Sequence, residues 1–314
     1  MERHQVPIYV GAIVAGLLVG SVAPGAGAGL EIAINPVLGL LLYVTFLQVP
    51  ARALLRSLRA GRFLGAALAV NFVVVPLVVA ALVGFLPADQ GVRLGVLLVL
   101  LAPCVDYVIV FSGLAGGSSD RLLAATPLLL IAQMLLLPPF LLLFLGPGLA
   151  EVVDVGPFVE AFLVLIVIPL ALAWLTQAWA ARHRTGTTVV GAAGALMVPL
   201  MVATLLVVVA SQVPKVGGDL SAVAAVVPSY VVFLVVMVLL GTVVARLFRL
   251  GPAEGRAIVF TGATRNSLVV LPLALALPDA FAVASVVVVT QTLVEVVGMV
   301  VSVRVVPRLL RTRG

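Results

Sequence analysis

The chain has 314 residues, of which 63% are apolar and 10% charged, with a net charge of +6. Soluble domains carry about 25% charged residues, and here the shortfall runs along the whole sequence, which excludes a soluble protein with one anchor. The positive charge lacks the interleaved aromatics of a nucleic-acid platform, so the basic residues are read as orientation signals and contacts to anionic lipid, with no nucleic-acid partner.

Ten apolar stretches follow in chain order: 6–23, 31–50, 63–86, 93–115, 122–146, 157–180, 189–212, 223–247, 257–277 and 281–306. Each is near the ~20 residues that cross a hydrocarbon core of about 30 Å. Breaker residues separate them, among them Pro24-Gly25, Pro87, Gly116-Gly117, Gly146-Pro147-Gly148, Gly217-Gly218, Gly251-Pro252 and Pro278-Asp279. The first stretch has a basic residue before it, Arg3, and Ala26-Gly27-Ala28 after it, as a signal peptide would. Its run to Ala23 is long for an h-region, and it is read as a span.

The predicted fold is an all-α polytopic membrane protein of ten helices, one transporter domain over residues 1–314. Fifteen of the eighteen Arg and Lys residues fall in loops on one side; Arg93 and Lys215 fall on the other, and Arg265 lies within the ninth span. That asymmetry predicts both termini in the cytoplasm of a cell-membrane protein. The preference for Arg over Lys, with many Ala, Gly and Val, suggests a high-GC bacterial source. Ten spans divide into two halves of five with opposite orientation, about 1–150 and 151–314, the inverted-repeat logic of secondary transporters. An echo at an offset of 158 residues supports the division: Gln133 corresponds to Gln291, Cys104 to Gly262 and Tyr107 to Arg265.

Deep ionisable groups are few: Asp106 in span 4, Arg265 in span 9 and Glu295 in span 10. A charge at the bilayer centre costs about 2.5–3.5 kcal/mol on insertion scales, so such residues face the bundle interior and take partners. Asp106 and Arg265, of opposite sign, are expected to pair; the alternative is a pair between Arg265 and Glu295. Pro103 removes a backbone donor and interrupts span 4. Gly262, Thr264, Arg265 and Asn266 interrupt span 9. Two breaks in corresponding positions point to a substrate site. Gln291, Glu295, Gly298 and Ser302 recur at helical spacing and are expected to share one polar face. Gly16-Leu17-Leu18-Val19-Gly20 is read as a close helix contact. His4 and His183 flank spans, and no metal spacing, phosphate loop or nucleophile motif is present, so no enzyme activity and no cofactor are expected. The single Cys104 excludes an intrachain disulfide.

Four motifs carry a family resemblance. Asn71-Phe72-Val73-Val74-Val75-Pro76 resembles the Asn–aromatic–x–x–x–Pro core of the bile acid:sodium symporter superfamily. Pro103-Cys104, Phe260-Thr261-Gly262-Ala263-Thr264-Arg265-Asn266 and Leu293-Val294-Glu295-Val296 resemble segments of its arsenical-resistance branch, the arsenite efflux permeases. The resemblance implies a panel domain and a core domain, with broken helices 4 and 9 crossing in the core. Together with the deep charges and the two breaks, the candidate substrate and transport set is Cys104, Asp106, Arg265, Asn266 and Glu295, lined by Pro103, Gly262, Thr264, Asn71, Gln133 and Gln291. Cys104 would handle As(III), a soft centre that favours thiolate. Departures stand beside it: Arg265 replaces an Asn, Leu268 a carboxylate, and Asp106 an uncharged residue. Two functions are therefore carried forward: metalloid efflux by proton antiport, and ion-coupled transport of a small organic anion with Arg265 as counter-charge. The motifs leave the coupling ion, H+ or Na+, and the oligomeric state open.

Overall fold

The computed structural model describes residues 5–48, 61–105, 107–146, 156, 160, 163–218 and 220–311. Among these, every regular element is helical. The helices are α1 (Gln5–Val22), α2 (Gly27–Leu47), α3 (Gly61–Val83), α4 (Gln90–Leu100), α5 (Tyr107–Leu114), α6 (Ser119–Leu145), α7 (Ile168–Ala180), α8 (Arg184–Gly218), α9 (Leu220–Leu247), α10 (Pro252–Ala263), α11 (Ser267–Leu275) and α12 (Val283–Leu309). Six helices among the described residues, α2, α3, α6, α8, α9 and α12, are long and apolar enough to cross a membrane. The predicted loops 51–60 and 147–155 lie outside the described residues.

The chain forms two compact units. One contains α1, α2, α7 and α8; the other contains α3 to α6 and α9 to α12. In the first unit, α8 packs against both α1 and α2. Gly16 and Gly20 make the α1 contact possible. A Cβ on Gly20 would stand 2.7 Å from the Ala210 carbonyl oxygen, and one on Gly16 would stand 2.9 Å from Val209 Cβ. The carbonyl end of α2 is closed by Gln177, whose amide donates to Phe46 O and Leu47 O at 3.2 and 3.1 Å. Tyr43 and Thr176 join α2 to α7 through their hydroxyls at 2.9 Å.

In the second unit, α4, α9, α10, α11 and α12 pack around one another. Gly95 lets α4 approach the backbone of α12, where an added Cβ would meet Ala284 O at 2.8 Å. Gly241 does the same for α9 against Val259 of α10. The arginines predicted as orientation signals also tie this unit together. Arg256 donates to Leu310 O at the end of α12, and to Ala115 O and Gly116 O after α5. Arg121 forms an ion pair with Glu254, and Glu254 closes a capping box at the start of α10.

Among the described residues two π-turns occur, and each lies just ahead of a proline. Val70–Val74 precedes Pro76 in α3, and Leu163–Val167 leads into α7 and precedes Pro169. A helical proline offers no N–H and pushes on the carbonyl four residues earlier, so the preceding turn widens. In α3 that widening holds Asn71, which is fully buried.

Candidate functional site

Two helices of the second unit are interrupted, and their interruptions face each other. The helix α4 ends at Leu100 and its continuation α5 begins at Tyr107; α10 ends at Ala263 and α11 begins at Ser267. The second break leaves the helix at Thr264, whose backbone is extended. Pro103 and Arg265 form an antiparallel bridge, with Asn266 N–H donating to Ala102 O at 2.8 Å and Cys104 N–H to Thr264 O at 3.4 Å. Each broken strand thus supplies backbone partners to the other, which is how non-helical backbone survives where water is scarce. Thr264 and Asn266 finish the two ends of the second break. The Thr264 hydroxyl donates to Phe260 O at 2.7 Å, and the Asn266 side chain accepts from Val269 N–H at 3.2 Å as the N-cap of α11.

Arg265 lies at the centre with no exposed surface. Its guanidinium donates to Leu100 O (3.2 Å), Asn71 Oδ1 (2.8 Å), Thr261 O (2.7 Å) and Gly262 O (2.8 Å). The ring of Phe233 lies 5.6 Å from the guanidinium carbon, a cation–π distance. Leu100, Thr261 and Gly262 belong to the C-terminal turns of α4 and α10, where unpaired carbonyls carry partial negative charge that attracts a cation. Asn71 completes the ring: its amide nitrogen donates to Ala67 O at 3.0 Å and to Thr261 Oγ1 at 3.1 Å. Gly262 permits the close approach, since a Cβ there would stand 2.7 Å from Val70 Cγ2.

Glu295, also buried, accepts the backbone N–H of Arg265 at 2.7 Å, and the same carboxylate oxygen accepts from the Gln291 amide. Glu295 therefore meets Arg265 at its main chain. Asp106 lies outside the described residues, and with it the predicted Asp106–Arg265 pair. On α6, Gln133 Oε1 accepts from Asn266 Nδ2 at 3.4 Å. Two amide atoms here have no hydrogen-bond partner: Gln133 Nε2 and Gln291 Oε1, on side chains 0% and 3% exposed. Buried polar atoms are nearly always paired, so this donor and this acceptor stand out beside the breaks. Cys104 is buried, 1% exposed, beside Pro103.

The geometry gathers Asn71, Pro103, Cys104, Gln133, Gly262, Thr264, Arg265, Asn266, Gln291 and Glu295 around the two breaks. The polar face predicted on α12 divides. Gln291 and Glu295 reach the break, whereas Gly298 packs against Leu234 and the Ser302 hydroxyl donates to Gly298 O at 2.8 Å. Gly298 and Ser302 instead border an apolar groove of about 740 Å³ between α9 and α12, lined by Val235, Leu239, Val297 and Val301 among others, and none of the break residues lines it. Helical spacing puts residues on one side of α12, but it does not say where along its length the neighbouring helix changes. The sequence reading also passed over Thr292, whose hydroxyl bonds Ser267 Oγ at 2.7 Å and joins α12 to the start of α11. The signal was its place beside Gln291. Leu100 and Phe233, as partners of Arg265, left none.

The family model for the sodium bile acid symporter family matches residues 35–219, more than half of the chain. The matched region includes the first break and Cys104, and ends before the second break. No curated protein matches the chain. Members of the family are transporters, and the long apolar helices fit a multi-pass membrane protein. By that match the chain belongs to the sodium bile acid symporter family, a family of ion-coupled membrane transporters.

Proposed function

We propose that this protein is a secondary active transporter that binds its solute at the crossing of the two broken helices. The observation that carries this reading is the crossing itself: two interrupted helices, joined by backbone bonds, with buried Asn, Gln, Glu and Arg side chains and two unfilled amide positions around them. The lengths of the half-helices support a place deep in the bilayer. At 1.5 Å per residue, α4 and α5 extend about 16 and 12 Å, and α10 and α11 about 18 and 14 Å. Neither half of either pair crosses a core of about 30 Å alone. The reading includes ten spans in two inverted repeats of five, about 1–150 and 151–314, with both termini on the cytoplasmic side of the cell membrane. The separation of α1, α2, α7 and α8 from the other helices supports a panel and a core.

For the substrate, the reading carried furthest is a trivalent metalloid such as arsenite, exported in exchange for protons. Cys104 supplies the soft ligand at the break, and Glu295 the carboxylate beside it. A second reading is ion-coupled transport of a small organic anion, received by the amide nitrogen of Gln133 that has no partner; it agrees with the family's name. Expression in a cell stripped of its own metalloid efflux separates the two. Metalloid efflux predicts arsenite resistance that Cys104→Ser abolishes. No resistance, with Cys104→Ser transporting as the parent does, removes the first reading and leaves the second.

A further inference from the structure

At the crossing, the carbonyl ends of two half-helices converge. Unwound carbonyls and half-helix C-termini are where transporters of this build hold a coupling cation. Here those oxygens are already engaged. Leu100 O, Thr261 O, Gly262 O and Asn71 Oδ1 all accept from the guanidinium of Arg265, at 2.7 to 3.2 Å. Carbonyl and carboxamide oxygens are the donor set that suits a hard monovalent cation. A sodium ion would need the same lone pairs, and it would have to sit against a charge that no accessible pH removes. The residues present therefore do not fit sodium at this position, although the family is named for it.

We propose that Arg265 is a tethered cation that stands in place of the coupling sodium at the helix crossing, so that the crossing is held together without sodium. The inference rests on the transporter reading for its setting, but the chemistry is that of this chain's own residues. Arg265 supplies positive charge to the C-termini of α4 and α10, as a bound ion would, and it does so permanently. Phe233 closes one face of the guanidinium, and Asn71 fixes its edge through a side chain held by Ala67 and Thr261. Glu295, on the main-chain N–H of the same residue, keeps a carboxylate beside the position, so that a vacated ring of oxygens would still attract a cation.

The test uses the full-length purified protein and needs no transport. Thermal unfolding of the wild type is compared in sodium and in choline at equal ionic strength, and the same midpoint is expected in both. Arg265→Ala should unfold at lower temperature. Sodium or methylguanidinium, supplied in excess, should then raise its midpoint by at least about 2 °C where choline does not. A sodium-specific rise in the wild type overturns the proposal. So does an Arg265→Ala protein that folds and responds to neither cation. If that variant cannot be purified, the wild-type comparison decides alone. Absence of solute transport would defeat the proposed function and leave these midpoints as they are.

Discussion

Asn71 serves three partners with one buried amide. It gives its two amide hydrogens to Ala67 O and Thr261 Oγ1, and its oxygen takes one from Arg265. Leucine is close in size but would take a partner from each of those groups, and a buried polar group left without one costs about 1–3 kcal/mol before relaxation. Asn71→Leu should therefore lower the unfolding midpoint clearly and abolish transport; an unchanged midpoint would show that the ring of oxygens does not depend on it. Gln133 predicts the opposite pattern. Its amide nitrogen has no partner, so an apolar side chain of similar length removes one unpaired buried donor, which offsets the acceptor it takes from Asn266 Nδ2. Gln133→Met should shift stability by less than about 1 kcal/mol while transport falls at least tenfold. A parallel loss of both would mean that the amide is structural. Part of this was legible beforehand, because a charge or amide in an apolar span stands out by its cost. What could not be read were the main-chain partners of Arg265. Among the described residues, three acceptors of its guanidinium are main-chain carbonyls, and a carbonyl has no letter in the sequence.

The apolar runs locate helices because a lipid-facing or core-facing helix needs little else. Their ends are less visible, since polar residues extend a helix beyond its apolar run. The helix α8 begins at Arg184, five residues before the predicted stretch, and Thr187 and Thr188 hydroxyls donate to Arg184 O in its first turn. The π-turn of α3 is a further element that apolar periodicity does not register, although Pro76 is its physical cause. It has a functional consequence that can be measured. Pro76→Ala restores a backbone donor and relieves the push on Phe72 O, which favours closure of the wide turn into regular α-helix. Removing the extra residue from the turn rotates one side of the helix against the other by about 100°, and Asn71 then leaves Arg265. Transport should fall while the unfolding midpoint holds or rises, because a helix gains from losing an internal proline. Full transport by Pro76→Ala would show that the turn does not position Asn71.

At the scale of the molecule, the chain order and the spatial order differ. Helices from the beginning and the middle of the chain form one unit, and those between and after them form the other. Apolar runs carry no signal for such interleaving, which depends on which faces fit, as where Gly16 and Gly20 admit α8. Charge does carry a global signal. With fifteen of eighteen basic residues on one side of the predicted spans, the positive-inside rule predicts one orientation for the whole chain. It puts the turn before α4 outside and the turn after α9 inside, both within the second unit. Gln90, the first residue of α4, and Arg249, in the turn after α9, are exposed. On a Cys104→Ser background, a cysteine at Gln90 should react with an impermeant maleimide added to intact cells, and a cysteine at Arg249 only after the membrane is opened. The α4–α5 pair, α6 and α9 lie between the two positions, with α7 and α8. If the broken pair turned back without crossing, the number of crossings between them would change parity. Labelling of both cysteines in intact cells would then overturn the odd number of crossings that a single crossing by α4 and α5 together requires.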